Sequence, residues 1–164
     1  MPEIAFDCCC LANFVLSDSL FILEKLIGRY AFITDFVSAE ILRGIQQGHE
    51  GWEKIQEALS DGWLEETGLI SPKEKSLYES LSVSLGLGEA SSIAVAKSRR
   101  FIFACDDRAA RREAGLLDIR LTGTIGLLKI GICRNIISLN QGNLILAEMM
   151  KRGSYSPVKS LKEV

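Results

Sequence analysis

Five acidic side chains stand where short apolar runs give way to helix-length segments. Asp7 follows Glu3-Ile-Ala-Phe6, and Asp106 and Asp107 follow Phe101-Ile-Phe-Ala-Cys105. Glu40 lies in Val37-Ser-Ala-Glu40-Ile41, and Glu89 opens the segment after Gly86-Leu87-Gly88. Each has an ordinary explanation alone: Asp7 and Asp106 as turn or capping residues, Glu40 as a solvated helix residue, and Glu89 as complement to a helix dipole, worth roughly 0.3–1 kcal/mol. Together they define a different chemistry. In a parallel α/β sheet, ligands bind outside the carboxyl ends of the strands, and these acids fall at strand ends or helix starts. Carboxylates sharing one cleft repel one another unless a hard cation neutralises them, and Mg2+ or Mn2+ is the natural occupant. Such an ion activates water for in-line attack on a phosphodiester.

The elements that must position these acids follow from the hydrophobic pattern. Strands are expected at Ile4 to Phe6, Ala31 to Thr34, Trp63 to Glu66, Phe101 to Cys105 and Ile119 to Leu121. Amphipathic helices are expected between them: Leu20 to Ile27 with Asp18 as N-cap and Gly28 as stop, and Val37 to Ile45. Further helical spacing runs from Trp52 to Leu59, from Ser71-Pro72 through Leu85, in the Ala-rich stretch Glu89 to Ser98, and from Arg108 to Ala114. Ser156-Pro157 reads as the start of a terminal helix. Strands alternating with helices predict an α/β domain with a mainly parallel sheet, and no linker or repeat divides residues 1–164, so one domain is expected.

Composition narrows the function classes. With 48% hydrophobic and 24% charged residues the chain is far from disorder, and the apolar surplus suits a subunit interface such as a homodimer. The runs Ile125 to Ile132 and Leu144 to Met150 are broken well short of the roughly 20 residues of a membrane span, and the N-terminus lacks a signal-peptide pattern, so a cytoplasmic protein with no membrane partner is expected. A net charge of −2 excludes capture of nucleic acid by bulk electrostatics; contact must come from a local patch, with Arg108 and Arg111 the foremost candidates because arginine matches phosphate geometry. The five cysteines, three of them the run Cys8-Cys9-Cys10, have neither disulfide nor zinc spacing and are expected to be small buried hydrophobes. Cys9 also removes the second aspartate that a haloacid-dehalogenase-like phosphatase requires two residues after its first. Gly86-Leu87-Gly88 lacks the Lys-Ser/Thr of a phosphate loop.

The ordered series Gly88-Glu-Ala90, then Asp106-Asp-Arg-Ala-Ala-Arg111, then Thr122-Gly-Thr124, with the ending Tyr155-Ser-Pro157, resembles the PIN-domain family, in particular the branch related to the VapC toxins. The resemblance covers nearly the whole chain. It implies a three-layer α/β/α sandwich and a metal-dependent endoribonuclease, with Asp7, Glu40 and Glu89 as the first three acids and either Asp107 or Asp106 as the fourth. Strand-end geometry favours Asp106; the Asp-Arg match favours Asp107. It further implies an RNA substrate, an antitoxin protein as partner, and homodimerisation. One departure matters: where relatives carry Ser or Thr two positions after the first Asp, this chain has Cys9, a poorer donor, which leaves the hydroxyl role to Thr122 or Thr124 unless those residues are helix caps beside Gly123. Asn13 would orient a ligand or cap a turn. The competing expectation is a catalytically silent module of the same fold that binds RNA or a protein.

Overall fold

The computed structural model describes residues 2–164. Five strands, β1 (Ile4–Phe6), β2 (Ala31–Thr34), β3 (Leu64–Thr67), β4 (Ile102–Ala104) and β5 (Leu121–Thr122), form an all-parallel sheet in the order β3-β2-β1-β4-β5. Nine α-helices accompany them among the described residues: α1 (Cys8–Leu16), α2 (Leu20–Ile27), α3 (Asp35–Gln46), α4 (Glu53–Asp61), α5 (Pro72–Leu81), α6 (Leu87–Arg99), α7 (Arg108–Leu116), α8 (Thr124–Cys133) and α9 (Leu139–Lys151). The chain winds outward from β1 to β3, then returns to place β4 on the other side of β1. The winding therefore reverses between β1 and β4, and the crevice beyond their carboxyl ends is where open parallel sheets hold ligands.

Strand side chains alternate between two cores. Ile4, Phe6 and Ala104 join a cluster with residues of α1 to α4, α8 and α9; Ala5, Phe103 and Cys105 join a second with α5, α6 and α7. A sheet covered on both faces is buried throughout, which is why β1 reads as an unbroken apolar run. Full burial of Phe6 and Phe103 is worth roughly 1.5–3 kcal/mol each. The resulting three-layer α/β/α architecture agrees with the sequence expectation, and the sheet is wholly parallel. The small residues of α6 are the reason this helix can lie close against β1, β2 and β4: Ala90, Ala94 and Ala96 are buried along it.

Several boundaries differ from expectation for local reasons. α5 ends at Leu81 rather than Leu85, and its start carries the full reciprocal cap in which Ser71 and Glu74 bond each other's backbone N–H. Ser19, not Asp18, occupies the cap position of α2, while Asp18 turns through a positive φ of 51°. β5 begins two residues late because the Ile119 N–H bonds the Ala114 carbonyl and closes α7. No terminal helix starts at Ser156-Pro157. The Ser156 hydroxyl accepts from the Val158 N–H and donates to the Val158 carbonyl, a local turn that competes with helix, and the tail ends in a single 3-10 turn at Leu161–Glu163. Buried Leu161 anchors that tail, its N–H donating to Asn143 Oδ1 at 2.8 Å. The cysteines are not all buried: Cys8, Cys10 and Cys105 are, whereas Cys9 and Cys133 are exposed. No helix among the described residues is long and apolar enough to cross a membrane.

Candidate functional site

The crevice at the β1–β4 reversal is built by backbone pairing that runs one residue past each strand. The Asp7 N–H donates to the Ala104 carbonyl at 3.0 Å, so Asp7 leaves the sheet beside Cys105, at the N-cap position of α1. Its side chain is buried, with 2% of its surface exposed. The Cys105 thiol donates to Asp7 Oδ2 at 3.5 Å. Glu89, in the first turn of α6, completes a trio: one carboxylate oxygen each of Asp7 and Glu89 and the sulfur of Cys105 lie within 4.8 Å of one another.

The other acids gather around this trio in different ways. Glu40, in the second turn of α3, accepts the Gly88 N–H at 3.1 Å. Gly88 is required by this approach, because a Cβ there would stand 2.6 Å from Glu40 Oε2. Glu89 Oε2 accepts from the Gly86 N–H at 3.3 Å, which fixes the first turn of α6. Asp107 caps α7 through Oδ1, which accepts the Ala110 N–H at 2.9 Å. Asp106 turns toward α8: its Oδ1 accepts the Thr124 N–H at 3.0 Å, and its Oδ2 accepts both the Thr124 hydroxyl and, at 3.1 Å, the Asn13 amide. Gly123 permits this clasp, since a Cβ on it would meet Asp106 Oδ1 at 2.5 Å.

The electrostatics follow from burial and crowding. Burial pushes the Asp7 carboxyl up to about 6, partly offset by the hydrogen bond from Cys105. Glu89 rises to about 7, through burial first and then the neighbouring charges of Asp7, Asp107 and Glu40. Burial, then the charge of Asp7, holds the Cys105 thiol far above the usual range, so it stays protonated and serves Asp7 as a donor. None of the five acids takes part in a salt bridge among the described residues. Like charges are thus assembled without a cation from the protein, and the oxygen donors suit a hard divalent ion rather than a thiophilic one.

The basic and hydroxyl candidates separate. Arg111 Nη1 donates to the Cys105 carbonyl at 2.7 Å and the Thr122 carbonyl at 2.8 Å, bracing the ends of β4 and β5. Arg108, at the first position of α7, is exposed and lines a groove beside Asp106. Thr122 lies in β5, and Thr124 is the first residue of α8, its hydroxyl turned to Asp106 rather than capping the helix. Asn13 is drawn in from α1 and oriented by the Ser154 hydroxyl, which donates to its Oδ1 at 2.5 Å. Cys105, Gly88 and Ser154 help to build the site although the sequence analysis assigns them no role in it. The first was the neighbour of the acidic pair and the second lay in the Gly-Leu-Gly break, so both carried a local signal; Ser154 carried none.

A parallel α/β sandwich with carboxylates converging at its winding reversal defines the class, and comparison gives the family. A family model described as PIN domain matches residues 3–164, so the chain belongs to the PIN-domain family, whose members are in general metal-dependent nucleases. No curated protein matches the chain.

Proposed function

We propose that the protein is an endoribonuclease that hydrolyses RNA phosphodiester bonds with Mg2+ or Mn2+. The observation that carries this reading is the convergence of Asp7, Glu89 and Cys105, with ligand atoms within 4.8 Å of one another, at the sheet's winding reversal, neither acid being in a salt bridge among the described residues. Asp7, Glu89 and Asp107 would hold the ion, with Glu40 adding charge from α3 and Asp106 anchoring the far wall. When bound, a divalent ion supplies charge neutralisation at the phosphodiester and acidifies an attacking water. The chain's own contribution is orientation. Cys105 and the backbone of β4 fix Asp7, Gly86 fixes Glu89, Gly88 fixes Glu40, and Thr124 with Asn13 fixes Asp106.

The likeness to the VapC branch supports a toxin role with a small antitoxin protein as partner. Large apolar side chains at the surface, among them Ile70, Val83 and Leu144, support burial against a partner or a second copy of the chain. Cys9 favours a second reading, a catalytically silent module of the same fold, because no hydroxyl stands two residues after Asp7. Incubation with an RNA pool and Mn2+ separates the two. Cleavage by the wild type and none by Asp7→Asn is expected; equal cleavage by both, or none by either, counts against the nuclease.

A further inference from the structure

The acidic cleft has a neighbour of opposite character. Between the β5–α8 corner and the C-terminal tail lies a groove of about 510 Å3, inside the roughly 300–1,000 Å3 range of small-ligand sites. Its floor is apolar, with Leu146 and Met149 fully buried and Met150 beside them. Three cations line it: Arg111, whose Nη1 is held by the Cys105 and Thr122 carbonyls, and Arg108 and Lys129, none of them in a salt bridge among the described residues. Tyr155 lines it with 79% of its surface exposed, an aromatic ring left in water beside a pocket. Asp106, Asn13 and Thr124 form the wall it shares with the acidic site. The tail that closes it is fastened by Leu161 and Asn143.

We propose that this groove seats one unpaired nucleotide of the substrate strand, its base against Tyr155 and the half-buried Met150 and its phosphate facing Arg108 and Lys129. The proposal rests on the nuclease reading for its context, but the chemistry is separate. An aromatic face with an apolar floor suits a base, and unpaired cations on the rim suit the phosphate attached to it. An acidic cleft repels a phosphodiester strand, so a cationic rim one wall away supplies the attraction that the site itself lacks. Ring and phosphate are common to ribose and deoxyribose, so the groove is not expected to distinguish the sugar.

The test uses the full chain in EDTA, which removes the metal question. With methyl-labelled methionine, titration with AMP at millimolar concentration should shift the Met149 and Met150 methyl resonances by ring currents, with dAMP equivalent. Tyr155→Ala should weaken the response about tenfold, Arg108→Ala should weaken it too, and Lys75→Ala, which removes an exposed cation of α5 outside the groove lining, should leave it unchanged. Resonances unmoved by AMP, or shifted as strongly by inorganic phosphate alone, overturn the proposal. RNA cleavage with no AMP response would leave the nuclease standing and remove this groove from it; AMP binding without cleavage would do the reverse.

Discussion

At the scale of single residues, Asp7 carries the sharpest consequences. A carboxyl raised in the folded state from 3.8 to about 6 contributes stability that is fully present below its unfolded value and lost as pH rises through about 6. Glu89 acts in the same direction up to about 7. The metal-free protein should therefore lose stability against Asp7→Asn between about pH 4 and about pH 7, by at most about 3 kcal/mol, in denaturant titrations run at both ends. Saturating Mn2+ should narrow that gap, and a gap that does not change with pH contradicts the assignment. Gly88→Ala should push the Glu40 carboxylate aside and weaken Mn2+ binding in calorimetry, with little change in thermal melts, because the clashing atoms are the far end of a flexible side chain. At this scale much was legible in the sequence. Asp7 and Glu89 fall where apolar runs meet helix starts, and they do meet. The choice between Asp106 and Asp107 was not legible, because neighbouring residues diverge according to contacts far along the chain. Asp106 is claimed by Thr124 and Asn13, and Asp107 by its own helix.

Elements were legible wherever a local rule governs them. Ser71-Pro72 with Glu74 announces α5, and Gly28 ends α2 as expected, while Gly62 closes α4 in the left-handed region. The tail departs from its local pattern: Ser156-Pro157 is an ordinary helix start, but its serine bonds Val158 instead, and Leu161 is drawn into the core. Another interaction invisible locally joins three elements. Arg99, at the end of α6, grips Glu74 of α5 through Nε at 2.8 Å and Nη2 at 3.1 Å, and reaches Thr67 Oγ1 of β3 at 2.7 Å. Glu74 is buried, and Arg99 holds its carboxyl down at about 2. Arg99→Ala leaves that carboxylate unpaired and should cost about 3 kcal/mol in urea unfolding. A loss well under 1 kcal/mol would show that solvent compensates it. Because Glu74 is lowered rather than raised, its contribution is present above its unfolded value and is lost only as pH falls toward 2, opposite in sign to Asp7.

Across the whole molecule, the alternation of apolar runs with helical stripes was enough for the sandwich, because a sheet buried on both faces writes itself as continuous hydrophobic segments. The strand order was not written there. It places β4 beside β1, and only that adjacency turns carboxylates almost a hundred residues apart into one crevice. The same order sets the charges apart in a chain of net charge −2: the acids gather at one reversal, and the cations Arg108 and Lys129 stand across the Asp106 wall. The proposed function requires a divalent-metal site at this reversal. Calorimetric titration of the wild type and Asp7→Asn with Mn2+ at about pH 8, where both raised carboxyls are ionised, tests it most directly. Saturable uptake by the wild type is expected, with affinity reduced at least tenfold in Asp7→Asn. Equal uptake by both proteins, or none by the wild type, would contradict it.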